Sequence, residues 1–148
     1  MSKVVIFLFL MFLNFSNVFA NDEYFRTLRN EKVNLRQGPS FDYPIKFFYK
    51  KKFLPVLVQD KSDNFRKIRD HENNSGWIHL SQLSKKKAAI VIEKDLIMFK
   101  SPTIFSNPIV VLKEGRLVKV IKCKENWCKV SSGDFTGWVL NENLWGLF

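Results

Sequence analysis

The chain contains an internal repeat, in which two stretches of about sixty residues share the order of their apolar, proline and Gly-Trp positions. In each stretch an alternating apolar strand leads into a proline-containing loop, and a Gly-Trp-hydrophobic segment follows later. The repeat therefore predicts two small domains of one fold, with insertions and deletions confined to turns. The matched positions are 33–35 with 96–98, Pro39 with Pro102, Pro44 with Pro108, Val56 with Val118, Phe65 with Trp127, 76–78 with 137–139, and Leu83 with Leu144.

Both copies show the pattern of short strands separated by turns that is typical of β structure. Residues 33–36 alternate apolar and polar side chains, which is the period of a strand with one buried face. Gly38 and Pro39 then end the strand, because glycine tolerates positive φ and proline lacks an N–H donor. Short strands with turns at intervals of about 8–12 residues are typical of small barrels. We predict an all-β chain of two tandem small β-barrels. Residues 24–28 could be a lead-in strand or could only pack on the first barrel, and residues 80–83 should form a single helical turn.

The N-terminal segment has the features of a secretory signal peptide. Lys3 gives a basic start, residues 4–15 are almost entirely apolar, and Ala20 is a small residue at the cleavage position. The apolar run is short for a bilayer span of about 20 residues, although an uncleaved anchor remains the alternative. We expect a signal peptide over residues 1–20 cleaved after Ala20, one barrel over residues 21–84 and another over residues 88–148. The expected location is the periplasm or cell envelope.

The composition is basic, with 24 Lys and Arg against 14 Asp and Glu. Cleavage would remove Lys3 and leave a net charge of about +9. Such a charge favours anionic partners, including lipid headgroups, acidic wall polymers or an acidic protein face. Export argues against a nucleic-acid partner, which only a cytoplasmic, uncleaved chain would revive. The lysine run 50–52 is interpreted as a solvated hairpin tip rather than an anion site, and the run 85–87 as a basic junction.

Cys123 and Cys128 are the only cysteines of the sequence. Their spacing is not that of a paired zinc site, and no histidine lies nearby. In an oxidising compartment a disulfide across a tight strand–turn–strand is favoured, with residues 124–126 as the turn. The alternative is two free thiols, one of them buried. A loop this short would contribute at the low end of the range of about 0–5 kcal/mol.

The sequence shows no catalytic or metal-binding constellation. Its only histidines, His71 and His79, have no ligand spacing, and His71 is expected to be solvated in a polar turn. The cysteines lie in the copy without histidine, and the carboxylates are scattered. We therefore predict a protein that is not an enzyme and holds neither a cofactor nor a metal.

The motif N-L-R-x-G-P-S at residues 34–40, Asp42-Tyr43-Pro44 after it, and G-W-I-H at residues 76–79 together resemble the bacterial SH3-like (SH3b-type) domains of exported proteins. The second copy keeps Gly-Trp-Val at residues 137–139 and a Leu-Trp-Gly finish at residues 144–146. In its opening Phe99 replaces the arginine and Ser101 replaces the glycine. The resemblance implies two tandem SH3-like barrels that bind cell-wall peptide or glycan, or an envelope protein, without catalysis.

Candidate ligand residues lie mainly in the first long loop, because small barrels bind peptides and sugars through loop aromatics. A Gly-Trp-hydrophobic strand usually buries its Trp, so Trp77 could instead be core. Arg36 could pair with Asp42 and brace the loop, or meet a ligand carboxylate. Because the second copy lacks the Arg and Gly, barrel 1 is the better candidate binder. The candidates are Arg36, Phe41, Asp42, Tyr43 and Trp77.

The predicted function is a non-catalytic envelope binding module that recognises peptidoglycan or a protein peptide through the first long loop of barrel 1. The alternative is an accessory or scaffold subunit. It would dock a protein partner through the barrels and the aromatic tail at residues 145–148.

Overall fold

The computed structural model describes residues 22–147, and the predicted signal peptide lies outside them. The described chain is nearly all β and forms two seven-stranded sheets, so the predicted fold class is confirmed. Barrel 1 consists of β1 (Tyr24–Leu28), β2 (Val33–Arg36), β3 (Ile45–Tyr49), β4 (Pro55–Ser62), β5 (Phe65–Arg69), β6 (Ser75–His79) and β7 (Leu83–Ser84). Barrel 2 consists of β8 (Ala88–Val91), β9 (Asp95–Phe99), β10 (Pro108–Lys113), β11 (Leu117–Lys124), β12 (Trp127–Ser132), β13 (Phe135–Leu140) and β14 (Leu144–Trp145).

The two sheets have the same topology. Their strand orders are β3-β2-β6-β5-β4-β1-β7 and β10-β9-β13-β12-β11-β8-β14. The segment that the sequence left open, residues 24–28, is strand β1. It pairs antiparallel with β4 and β7, and its register places Arg26 opposite Val56 and Leu28 opposite Leu83. The lead-in strand is therefore an integral part of the sheet.

A short 3₁₀ turn follows the Gly-Trp strand in each barrel. It spans Leu80–Gln82 in barrel 1, as the sequence predicts, and Asn141–Asn143 in barrel 2. Among residues 22–147, no helix is long and apolar enough to cross a membrane.

Equivalent hydrogen bonds define the repeat residue by residue. In the long loop of barrel 1, Gln37 N donates to Pro44 O at 3.0 Å, and in barrel 2 Lys100 N donates to Asn107 O at 3.0 Å. Pro44 therefore corresponds to Asn107, and matching it to Pro108 is wrong by one position. Pro108 instead begins β10. The error arises because proline matched proline in sequence, whereas the loop closes one residue earlier.

The alternation of β2 builds the core of barrel 1. Val33 and Leu35 are buried, whereas Asn34 and Arg36 are half-buried on the other face. Burying an aliphatic side chain of this size contributes roughly 1.5–3 kcal/mol. The core also contains Ile90 from β8 of barrel 2, so the two barrels share packing.

The C-terminal segment joins the barrels. The ring of Trp145 packs edge-on against Phe25 of β1, with ring centroids 4.8 Å apart. Gly146 has φ +124 and passes so close to barrel 1 that a Cβ there would lie 2.9 Å from Pro55 Cβ. Trp145 and Gly146 of this segment are therefore used for packing within the chain.

His71 differs from the sequence-based expectation of a solvated side chain. It is half-buried, and its ring lies 6.1 Å from that of Trp145 by centroids. Its Nδ1 is buried without a hydrogen-bond partner in the described part of the chain. The position results from the packing of the C-terminal segment, a long-range contact that local sequence does not show.

A disulfide joins Cys123 to Cys128 across the β11–β12 hairpin. The two residues are opposite each other in register, with their Cα atoms 4.0 Å apart. Barrel 1 has Lys61 and Arg66 opposite each other in the corresponding hairpin, so the disulfide is a feature of barrel 2 alone. With a sequence separation of 5 it constrains the unfolded chain little.

A buried carboxylate organises the β5–β6 turn. Asp70 accepts hydrogen bonds from the Tyr49 hydroxyl at 3.0 Å, from Glu72 N at 2.9 Å, and from Asn74 N and Nδ2 at 2.8 and 2.9 Å. Burial of Tyr49, and then the charge and hydrogen bond of Asp70, raise the pKa of the Tyr49 hydroxyl far above its usual value.

This raised pKa predicts a loss of stability in alkali. Above a pH of about 10, Tyr49 ionises in the unfolded chain but stays protonated in the folded one. The native state then binds more protons, so the free energy of unfolding falls as pH rises, whereas the contribution is fully present below that pH. Tyr49→Phe should reduce this alkaline slope by up to one proton. Urea denaturation between about pH 8 and 11 measures it, and equal slopes for variant and wild type would contradict the assignment.

Candidate functional site

The outer face of barrel 1 is the part of the structure on which the candidate residues meet. Along β6 the side chain of Ile78 is buried in the core, whereas Trp77 is only half-buried and faces outward. The interpretation of Trp77 as a core residue is therefore wrong. Gly76 takes the inward position, where a Cβ would lie 2.7 Å from Leu35 Cγ and 2.8 Å from Arg36 O. The close approach of β2 leaves room there for glycine only.

Three rings pack together beneath the long loop of residues 37–44. Phe41 stacks on His79, with centroids 5.2 Å apart and ring planes at 27°. Phe65 packs edge-on against both, with centroids 5.2 Å from Phe41 and 5.1 Å from His79. Phe65 is buried because the other two cover it, while Phe41 itself is 65% exposed. The cluster thus holds an exposed aromatic ring on a packed base.

Arg36 holds the loop over this cluster. Its Nη1 donates to the carbonyl oxygens of Phe41 at 3.2 Å and Tyr43 at 3.0 Å. The guanidinium carbon also lies 5.2 Å from the centroid of the Phe41 ring, within cation–π range. The bracing role that the sequence allowed is observed, although the partners are loop carbonyls rather than the carboxylate of Asp42. A guanidinium has five N–H donors, so most of its donor capacity is left for a ligand.

The ring of Tyr43 accounts for the glycine at position 38 of the loop. A Cβ at Gly38 would lie only 2.4 Å from the Tyr43 ring, so the ring rests directly on the backbone. In barrel 2 the corresponding residues are Ser101 and Ser106, and Ser101 N donates to Ser106 Oγ at 2.9 Å. The glycine and the aromatic ring are therefore replaced together, because one makes room for the other.

An open groove of about 310 Å³ runs along this face. Arg36, Phe41 and His79 contribute to its wall. The Nδ1 of His79 accepts a hydrogen bond from Ser81 N at 3.2 Å, which fixes the imidazole at the start of the 3₁₀ turn. The other lining residues are Lys32, Asn34, Ser81 and Gln82. The lining contains two cationic groups and no carboxylate, so it suits a ligand with a negative group.

The predicted ligand residues are distributed unevenly around this groove. Arg36 and Phe41 line it. Tyr43 supplies a carbonyl to Arg36 and packs on Gly38, but it does not line the groove. Asp42 is exposed in the loop, and Trp77 lies beside Arg36 on the same face.

Sequence reasoning missed His79 as a groove residue, although a signal was present. In β6 His79 follows Trp77 by two positions, so strand periodicity puts both side chains on one face. The antiparallel pairing of β6 with β2 then brings that face beside Arg36. The pairing of β6 with β2, however, joins segments that are distant in sequence, so the local sequence pattern does not show it. The missed lining residues are Lys32, Asn34, His79, Ser81 and Gln82.

Barrel 2 lacks this chemistry at the corresponding positions. Phe99 occupies the position of Arg36, and its ring packs edge-on against Trp127, with centroids 5.8 Å apart. The pairing of Trp127 with Leu140 matches that of Phe65 with His79, so the histidine is replaced by an aliphatic residue. The basic and aromatic groove is therefore a property of barrel 1. Within residues 22–147, no group of three or more His, Cys, Asp or Glu is placed to hold a metal ion.

The family profile described as "Bacterial SH3 domain" matches residues 29–85 and 93–146. The chain belongs to the bacterial SH3 domain family. The two matched segments fall on the two copies of the repeat, so the resemblance to tandem SH3-like domains is confirmed. Membership of this family indicates a binding module.

Two solved structures are similar to this bacterial SH3 domain chain, NlpC2 and NlpC1 from Trichomonas vaginalis. Sequence identity is 11% for both, and the TM-scores are 0.39 and 0.38. The matches cover 84% and 83% of this chain but only 48% and 45% of those proteins, so the chain spans less than half of their length. None of the curated proteins compared with the chain matches it.

Proposed function

We propose that this protein is an exported, non-catalytic binding protein of the cell envelope. Its groove in barrel 1 binds a peptide that carries a carboxylate, and the peptide stems of peptidoglycan are the proposed ligand. The observation that carries the proposal is the exposed Phe41 ring, stacked on His79 and lying beside the Arg36 guanidinium. The signal-peptide pattern of residues 1–20 supports the envelope location.

The chemistry of the groove supports a short anionic peptide. Arg36 can bind a carboxylate with two parallel N–H···O bonds, and Lys32 adds a second positive charge to the lining. Phe41 offers an aromatic surface for an aliphatic side chain at little entropic cost, because its position is already fixed. The amide of Asn34 supplies a donor and an acceptor for peptide groups.

Docking through the aromatic tail is a weaker candidate function. Trp145 already packs against Phe25 and His71 of barrel 1, so it is not a free contact surface. A partner that used the tail would have to displace this internal packing.

Sedimentation with purified peptidoglycan sacculi tests the proposal. Wild type should sediment with the sacculi, and Phe41→Ala should bind about tenfold more weakly because the exposed ring is a central contact. Ile104→Ala is the matched control, since Ile104 is the barrel 2 counterpart of Phe41 and is similarly exposed at 61%. It should bind as wild type does. A wild-type protein that stays in the supernatant, or equal losses in both variants, would reject recognition of the wall by this groove.

A further inference from the structure

Three lysines from separate parts of the chain surround one aromatic ring. Lys52 lies in the β3–β4 turn, Lys86 in the linker between the barrels, and Lys119 in β11. Their ammonium nitrogens lie 5.3, 5.4 and 5.5 Å from the centroid of the Phe53 ring. The separation of any two of these ammonium nitrogens therefore cannot exceed the sum of their two distances from the centroid. The fold brings together lysines of two runs, 50–52 and 85–87, which the sequence pattern alone indicates separately as a solvated hairpin tip and a basic junction.

The backbone of Phe53 is unusual. Its φ is +64, in the left-handed region that disfavours residues with a Cβ. Gly115, with φ +81, is the corresponding residue of barrel 2. The match is shown by equivalent hydrogen bonds, since Phe53 N donates to Leu28 O and Gly115 N donates to Val91 O, both at 2.8 Å. A phenylalanine at a position that suits glycine indicates that the ring itself has a role.

We call this group the Phe53 lysine cluster, and it consists of Lys52, Lys86, Lys119 and Phe53. Its three ammonium groups have no carboxylate partner in the described part of the chain. Attraction to the aromatic ring offsets part of the mutual repulsion of the ammonium groups. The ring also holds the three side chains in one place, which lowers the entropy lost when they converge on a ligand. A concentrated and unpaired positive charge of this kind is suited to an anion.

A cleft adjoins the cluster at Lys86. The cleft has a volume of about 190 Å³ and includes Lys86 and Arg26 in its lining. The linker is tied down there, because Thr27 Oγ1 donates to the backbone carbonyl oxygen of Lys86 at 2.7 Å. Lys86 thus belongs to both the cluster and the cleft. The other lining residues are Phe25, Thr27, Lys85, Lys87, Ala88, Gly146 and Leu147.

We propose that the Phe53 lysine cluster binds the phosphoryl groups of an anionic phosphodiester polymer at the junction of the two barrels. Lysine ammonium groups bind phosphate as point charges, and three of them span neighbouring phosphates of such a chain. A bilayer surface fits less well, because Phe53 is half-buried beneath the ammonium groups and presents no apolar wedge. This site is separate from the groove of barrel 1 and does not depend on the function proposed for that groove.

Binding of synthetic poly(glycerol phosphate) to the full mature chain tests the proposal. The triple variant K52Q/K86Q/K119Q should bind at least about tenfold more weakly, and its slope of log K against log salt should be lower by about 2, because roughly three phosphate contacts are lost. The matched control is K94Q/K100Q/K124Q, which removes the same charge from exposed positions of barrel 2. It should lose less than about threefold. Equal losses in the two triples would show that only net charge matters and would overturn the site.

The variant Phe53→Gly is an independent test of the proposed site. Glycine accepts the left-handed backbone, and every charge is retained. Affinity for the polymer should nevertheless fall several-fold, because the lysines lose the ring that gathers them. An unchanged affinity would overturn the role of the cluster. Binding to phosphatidylglycerol vesicles without binding to the soluble polymer would overturn the choice of a polymer in favour of a membrane surface.

Discussion

Gly76→Ala is expected to destabilise the protein by about 3 kcal/mol, the upper end of the usual cost of overpacking. The added Cβ would lie 2.7 Å from Leu35 Cγ and 2.8 Å from Arg36 O. A side-chain tip can rotate away, but a backbone carbonyl in a paired strand cannot, so β2 would have to separate from β6. Thermal unfolding followed by circular dichroism should show a midpoint lower by roughly 10 °C.

The repeat supplies a matched variant in the other barrel. Gly137→Ala places a Cβ 2.6 Å from Phe99 O, so a similar loss of stability is expected there. Both variants should unfold in a single transition, because Ile90 of β8 is part of the core of barrel 1. Two separate transitions would show that the barrels unfold independently.

Gly133→Ala serves as the control for glycine replacement as such. A Cβ at this position meets nothing closer than 3.8 Å, and only the φ of +58 is unfavourable. Its cost should therefore stay near 1 kcal/mol. A Gly76→Ala protein as stable as this control would contradict the packing described for β2 and β6.

Much of the fold could be predicted from local pattern, and the particular residues show why. The alternation of residues 33–36 determines which side chains are buried, and the paired Gly-Trp segments mark equivalent strands in both copies. The order of the strands in the sheet depends on contacts between distant segments. Local pattern therefore left β1 undecided, although β1 lies between β4 and β7.

The candidate site could be predicted only in part, for the same physical reason. The loop sequence pointed to Arg36 and Phe41, which do line the groove. His79 belongs to the site because the loop of residues 37–44 folds back over the outer face, where the ring of Phe41 stacks on the His79 imidazole. Trp77 was open to a core interpretation because the inward position of Gly76 depends on how closely β2 approaches. These contacts are tertiary, so no local window contains them.

The position of the lysine runs in the structure also depends on long-range contacts. From sequence alone, run 50–52 is interpreted as a solvated hairpin tip and run 85–87 as a basic junction. Folding brings Lys52 and Lys86 to the same ring, together with Lys119 of a third segment. Charge patterning along a chain therefore underestimates how strongly a compact fold concentrates charge at a junction between domains.

Arg36→Ala should cause the largest loss of binding in the groove, about thirtyfold for the proposed peptide ligand, a magnitude typical of a central arginine contact. The guanidinium acts in two ways at once. It braces the loop through the carbonyls of Phe41 and Tyr43, and it is the group best suited to bind a ligand carboxylate. Removing it should free the loop and remove the main positive group of the groove together.

Arg36→Lys separates these two contributions. Lysine keeps the positive charge, but its ammonium lacks the planar guanidinium that lies over the ring of Phe41 while its Nη1 donates to both loop carbonyls. If bracing matters, the lysine variant should lose much of the affinity, and amide hydrogen exchange in residues 37–44 should become faster. The corresponding loop of barrel 2, residues 100–107, is closed by its own hydrogen bonds and should exchange as in wild type. A lysine variant that binds like wild type would show that charge alone is sufficient and that the braced loop geometry contributes nothing to recognition.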